Sequence, residues 1–167
     1  MSRYRIVLAS LLAAGLLVSL NASVVSAEDV IVSTRTASPG DTVQVAITAG
    51  PEGFSAVGSS SFELSYDTTY LDAVLVNNGG SLSSFMSHVN EGAGRVKAGS
   101  ISLTGDNIPG DTIIFEVTFE VDSAASKGKI PLRIQAALTD AELPEPNPIP
   151  AGTVDGKIIV KRHKKGR

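Results

Sequence analysis

Catalytic side chains are sparse in this chain of 167 residues, whose only imidazoles are His88 and His163. A serine nucleophile needs a histidine base within hydrogen-bond reach and a carboxylate behind it. Serine is plentiful, but no Gly-x-Ser-x-Gly elbow occurs to expose one. His163 falls in a basic tail and His88 stands alone on a short strand-like stretch, so both are expected to be ordinary surface or partly buried imidazoles. With no cysteine and no histidine cluster, a zinc site has no ligands at the required spacing. No Asp-x-Asp-x-Asp-Gly loop is present, which excludes an EF-hand. Asp140, Glu142 and Glu145 with Asn147 form one acidic segment of the kind that binds calcium, but Pro144, Pro146, Pro148 and Pro150 stiffen it against wrapping an ion. A solvated loop is expected there, and no metal or cofactor. Glu116 and Glu120 share a strand face about 13 Å apart, beyond the roughly 5–9.5 Å of paired glycosidase carboxylates. No catalytic residue is assigned; the chemistry left is non-covalent binding.

The elements that would present such a surface are strands. Phe62, Leu64 and Tyr66 alternate with polar residues, and Val43, Val45 and Ile47 alternate with Gln44, Ala46 and Thr48. The same period runs through Ile113, Phe115, Val117, Phe119 and Val121, and through Ile130, Leu132, Ile134, Ala136 and Leu138. Period two places each apolar set on one face of a sheet. Two such sheets bury those faces by packing on each other. Ser38-Pro39-Gly40-Asp41 and Ile108-Pro109-Gly110-Asp111 have the Pro-Gly order of a type II turn. Nine strands are predicted, at 29–36, 42–49, 56–66, 71–76, 86–90, 95–103, 112–121, 129–139 and 156–161. Residues 82–86 are expected to form a single helical turn. The proline cluster between 144 and 150 is expected to be an unpaired loop.

Residues 1–27 are read as a signal peptide. Arg3 and Arg5 precede an almost wholly apolar run over 6–20, and Val25-Ser26-Ala27 offers a small-residue cleavage site. The run is shorter than the about 20 residues a spanning helix needs. Cleavage leaves one domain over 28–160 and a basic tail over 161–167, with an extracellular or cell-surface location expected. A domain of this size builds a core without disulfides. Residues 28–160 hold seven Lys/Arg and seventeen Asp/Glu, a net charge of about −10, whereas the last seven residues carry five cations. The acidic body argues against nucleic acid as a partner. The tail has the composition that binds anionic wall polymers or lipid headgroups, or it is a disordered end.

Several ordered segments resemble one family. Ala37-Ser38-Pro39-Gly40-Asp41-Thr42-Val43, Phe62-Glu63-Leu64-Ser65-Tyr66-Asp67, Gly94-Arg95-Val96 and the strand from Ile114 to Val121 are similar to segments of cohesin modules. Thr139-Asp140 and Val154-Asp155-Gly156-Lys157-Ile158 resemble the close of that module. The resemblance implies an all-β, nine-stranded, two-sheet jelly-roll β-sandwich. It also implies a non-catalytic function: binding a dockerin-bearing protein, often in polysaccharide breakdown. It places the partner on an open sheet face, which maps to Ser59, Ser61 and Glu63, with Arg95 and Lys97 on the next strand. Characterised cohesins often carry Asn and Asp where this chain has Ser59 and Ser61. Two other readings stay open: a carbohydrate-binding module and a structural, adhesin-like surface domain. Against the first, the chain has no tryptophan, and Phe62, Tyr66, Phe115 and Phe119 fall on core-facing registers.

Overall fold

The computed structural model describes residues 29–161. The expected leader and all but the first residue of the expected tail lie outside them.

The chain opens with β1 (Asp29–Val32) and β2 (Thr34–Ala37), followed by β3 (Thr42–Ala49), β4 (Phe54–Ser65), β5 (Leu71–Asn78) and β6 (Met86–Asn90). A single 3-10 turn, Glu91–Ala93, leads into β7 (Arg95–Ile108). Next come β8 (Ile113–Val121), β9 (Gly128–Asp140), β10 (Pro148–Ile149), β11 (Gly152–Val154) and β12 (Gly156–Val160). One sheet has the order β11-β1-β3-β8-β5; the other has seven strands in the order β2-β12-β9-β4-β7-β6, with β10 beside β9. This is the expected two-sheet jelly-roll sandwich.

All nine expected strands are present, and the excess over nine has local causes. The first expected strand splits at Ser33, where the chain leaves one sheet for the other: β1 pairs with β3 and β2 with β12. Ser33 stitches the crossing, because its N–H donates to Ala46 O at 2.9 Å and its Oγ accepts from Ala46 N–H at 3.0 Å. The last strands cross in step, β11 beside β1 and β12 beside β2. Gly156 lies at that second crossing, where a Cβ would come 2.6 Å from Val32 Cγ1. The proline segment does pair, contrary to expectation. Pro148 opposes Thr139 and Ile149 opposes Leu138; at a sheet margin the missing proline N–H costs no ladder bond.

The sheets meet through aromatic side chains from β8, from β4 and from Tyr66 just after β4. Phe62 and Phe115 have ring centroids 5.5 Å apart, and Tyr66 meets Phe119 edge-on at 5.1 Å. The four-residue spacing is the same on both strands, so the pairs register two layers of the core. Leu64, Val117, Leu132 and Ile158 fill in around them without exposure. The expected phase on β8 holds from Phe115 to Val121 but not at Ile113. A register shift lets Thr48 oppose Ile113 while Ile47 opposes Phe115. Ile114 therefore takes the buried place and Ile113 is 37% exposed. Residues 82–86 are not helical: Leu82 is buried, and Ser83 donates from N and Oγ to Asp106 Oδ2 at 3.0 and 3.2 Å, which fixes a turn. The helical turn falls at Glu91–Ala93 instead, capped by Asn90 Oδ1 accepting from Ala93 N–H at 3.2 Å.

Candidate functional site

β4 lies inside the seven-stranded sheet between β7 and β9, so its outward residues form the middle of that sheet's solvent face. Alternation buries Ser60, Phe62 and Leu64 and turns Ser59, Ser61, Glu63 and Ser65 outward. Opposite these four stand Ile101, Gly99, Lys97 and Arg95 on β7, and Thr139, Ala137, Gln135 and Arg133 on β9. All five residues expected from the sequence, Ser59, Ser61, Glu63, Arg95 and Lys97, thus share one face of two neighbouring strands.

The face is graded along the strand direction. At one end Arg95 and Arg133 flank Ser65. One row on, the Glu63 carboxylate takes Arg95 Nη1 at 3.2 Å and Lys97 Nζ at 3.5 Å, and both cations stay more than half exposed, at 52% and 63%. Exposed pairs of this kind add only about 0–1 kcal/mol each to stability; here they hold two cations in fixed places. In the middle, exposed Ser61 lies between Gly99 and Ala137, a low row with no large side chain. Half-buried Ser59 is already engaged, its Oγ 2.8 Å from Thr139 Oγ1. Of the two serines expected at the site, Ser61 thus keeps its hydroxyl free of side-chain hydrogen bonds among the described residues.

The far end is apolar, which the sequence reading did not single out. Between the pairs Ser59–Ile101 and Val57–Asp106, residues 102–105 stand against Gly58 alone. This long bulge rests on Gly105 at φ 79°, against Ala56 at φ 54°. Leu103 rides on the bulge 83% exposed, beside Ile101 at 58%. Leu143, 77% exposed, stands across from them on the proline loop. A groove of about 160 Å³ runs between, lined by Gly58, Ser59, Ile101, Leu103, Leu143 and Pro146. Met86 on β6 opposes Gly99 and is 62% exposed, so it carries apolar surface toward the middle row. The signal was present in the sequence. With Val96 and Ala98 facing the core, period two sends Ile101 and Leu103 outward and Ser100 inward. Buried Ser100 and Ser60 satisfy one another, Oγ to Oγ at 3.0 Å, and Ser100 N–H donates to Ser60 Oγ at 3.1 Å.

Asp140 positions the groove's second wall. Its Oδ1 accepts from Asn147 N–H at 2.8 Å and Glu142 N–H at 3.1 Å, and its Oδ2 from Asn147 Nδ2 at 3.0 Å. The Asn147 side-chain amide, followed by its backbone N–H, holds the Asp140 carboxyl below its ordinary value of 3.8. A depressed carboxylate stabilises its surroundings fully above that ordinary value and loses the effect as pH falls through the folded value. The Glu142 and Asn147 amide proton shifts are therefore expected to move together with a midpoint below 3.8. Asp140→Ala is expected to remove that titration and speed proteolytic cleavage over 141–147. A midpoint at or above 3.8 would contradict this.

Among the described residues the other candidate groups stand apart from one another. His88 is exposed on β6 opposite Lys97, and makes no hydrogen bond to a serine or carboxylate among the described residues. Glu116 and Glu120 lie on the outward face of the other sheet, opposite Ala46 and Thr42. Among the described residues no group of three or more His, Cys, Asp or Glu could hold a metal ion. Among the described residues Tyr70, 38% exposed, is the one aromatic among the exposed large apolar residues. Phe54 joins the four core-facing aromatics in the interior.

The family model described as Cohesin domain matches residues 29–160. Among solved structures, the seventh ScaB type I cohesin of Pseudobacteroides cellulosolvens superposes with a TM-score of 0.73 at 21% identity, over 83% of this chain and 95% of that one. A non-cellulosomal cohesin of the archaeon Archaeoglobus fulgidus gives 0.67 at 24% identity, over 82% and 93%. A type I cohesin–dockerin complex of Clostridium thermocellum gives 0.67 at 21% identity, over 80% and 98%. At such identities the structures share the sandwich with this chain. Among curated proteins none matches it.

Proposed function

Because this chain belongs to the cohesin domain family, we propose that it is a non-catalytic docking module that receives a dockerin-bearing protein on the outer face of its seven-stranded sheet. The observation that carries this reading is the grouping of exposed Ile101, Leu103 and Leu143 at one end of a flat polar sheet face, with exposed Met86 beside its middle row. Contiguous apolar surface on an exported domain marks an interaction site. The binding residues are Ser61, Glu63, Arg95 and Lys97, with Ser59 shaping the groove. Solved relatives include cohesins in complex with dockerins. The leader read over residues 1–27 supports an extracellular or cell-surface setting, where docking would serve polysaccharide breakdown or surface assembly. The cations of the tail suit contact with anionic wall polymers. A carbohydrate-binding reading has less support, since flat sugar surfaces are met by exposed aromatic planes and Tyr70 stands alone in that role among the described residues.

The test is a calorimetric titration of the full exported chain with dockerin modules from the same source, beside pelleting with cellulose and chitin. One-to-one binding to a dockerin and no retention on polysaccharide is the expected result. Retention on polysaccharide with no dockerin bound would reverse the assignment.

A further inference from the structure

The cations of the described strands all lie in one sheet, whereas the carboxylates are found in both, with Glu63, Asp106 and Asp140 in the seven-stranded one. β1, β3, β5, β8 and β11 contain no Lys or Arg at all, but carry Asp29, Asp72, Glu116 and Glu120. The seven-stranded sheet holds Arg35, Arg95, Lys97, Lys129, Arg133 and Lys157, and Lys127 sits just before β9. Arg35 turns to the sandwich margin, where its Nε donates to Gln44 O at 3.0 Å. The other five cations on these strands alternate with buried neighbours and so point outward. Among the described residues Glu63 is the carboxylate that pairs with any of them, shared by Arg95 and Lys97. Lys129, Arg133 and Lys157 have no ion-pair partner among the described residues. A protein whose body is acidic thus turns a basic surface outward at the Ser65 end of the proposed docking face, while Asp140, Glu142 and Glu145 stand at the groove end. Such a local field raises the encounter rate with an oppositely charged surface by about ten- to a thousand-fold.

The cations gather at the Ser65 end and the apolar groove lies at the Ser59 end. From Arg95 to Ile101 is six residues of β7, about 20 Å by strand rise. We propose that the partner surface on this face is acidic, with an apolar element in the Ile101–Leu103–Leu143 groove and carboxylates about 13–20 Å away against Lys97, Arg95 and Arg133. This rests on the docking reading and adds the partner's chemistry. The acidic face of a second copy is a poor fit. There Leu75 opposes Thr118, with Asp72 and Glu120 on one side and Glu116 on the other. Its acids and its exposed leucine are intermixed within about 10 Å and do not stand apart at the required span.

The experiment measures association rates with the dockerin module that binds in the titration above, from 50 to 500 mM NaCl, for the chain and for Lys97→Glu/Arg133→Glu. Both changed residues are exposed, and thermal melts check that the variant is folded. The expected result is a rate about ten-fold lower at high salt, and a variant about ten-fold slower at 50 mM. A rate indifferent to salt, or faster in the variant, overturns the proposal and leaves docking standing. If no dockerin binds, the docking reading has failed, and fluorescent poly-L-glutamate becomes the probe. Binding at 50 mM NaCl that Lys97→Glu/Arg133→Glu abolishes upholds the acidic partner; no binding overturns it. Concentration-dependent, head-to-tail self-association in sedimentation at 50 mM NaCl also overturns it, since the acidic surface would then be the chain's own.

Discussion

Phe115→Ala is expected to lower the unfolding free energy by about 3–5 kcal/mol, the range for emptying a phenylalanine site in a packed core. Phe115 has no exposed surface, and its ring lies 5.5 Å from Phe62 and 6.1 Å from Phe85 by centroid. It joins β8 of one sheet to β4 of the other, so its loss opens a cavity where the sheets meet. Neighbouring strands are tied by their ladders and cannot close it cheaply. In denaturant unfolding the midpoint should fall with little change in slope. Ile113→Ala supplies the contrast. Ile113 is 37% exposed because of the bulge at Ile114, and its truncation should cost less than about 1 kcal/mol. Equal losses at the two positions would mean that Ile113 faces the core.

The second large effect concerns binding. Ile101→Ser/Leu103→Ser is expected to weaken dockerin binding about a hundred-fold or more while leaving stability nearly unchanged. Each side chain offers roughly 1.5–3 kcal/mol when fully buried by a partner, and each 1.4 kcal/mol is a factor of ten in affinity. Neither contributes much to the fold, at 58% and 83% exposure. Anchors of this kind dominate interfaces, whereas rim charges mostly set encounter rates. Association and dissociation rates of the double variant, measured beside its calorimetric affinity, separate the two. A change confined to the association rate would show that the groove is not buried in the complex.

The sandwich was legible because half-buried strands impose period two on their residues. That pattern placed Phe62, Leu64, Phe115, Val117, Leu132 and Ile134 correctly in the core. It failed where the ladder is irregular. Ile113 and Ile114 exchange faces through a one-residue register shift that no composition rule marks. Pro148 pairs despite its missing N–H, because it needs no donor at a sheet margin. The outward register of Ser59, Ser61 and Glu63 was legible from Phe62 and Leu64, and so was the shared face with Arg95 and Lys97. Two features were not. The Ser59 to Thr139 hydrogen bond joins residues 80 apart in sequence. The groove depends on a bulge and on a loop that Asp140 ties to Asn147, and both are set by tertiary contacts.

The outer face of the seven-stranded sheet is proposed to receive the partner. Titrating one dockerin with Ser61→Trp and with Glu120→Trp tests it most directly. Ser61 lies in the low row between Gly99 and Ala137, and Glu120 is exposed on the opposite sheet between Thr42 and Asp72. Both variants should melt close to the parent. Ser61→Trp is expected to lose about a hundred-fold or more in affinity, because an indole there holds a flat partner off the sheet. Glu120→Trp is expected to bind as the parent does. Parent-like binding by Ser61→Trp together with loss in Glu120→Trp would place the partner on the other sheet and contradict the docking face.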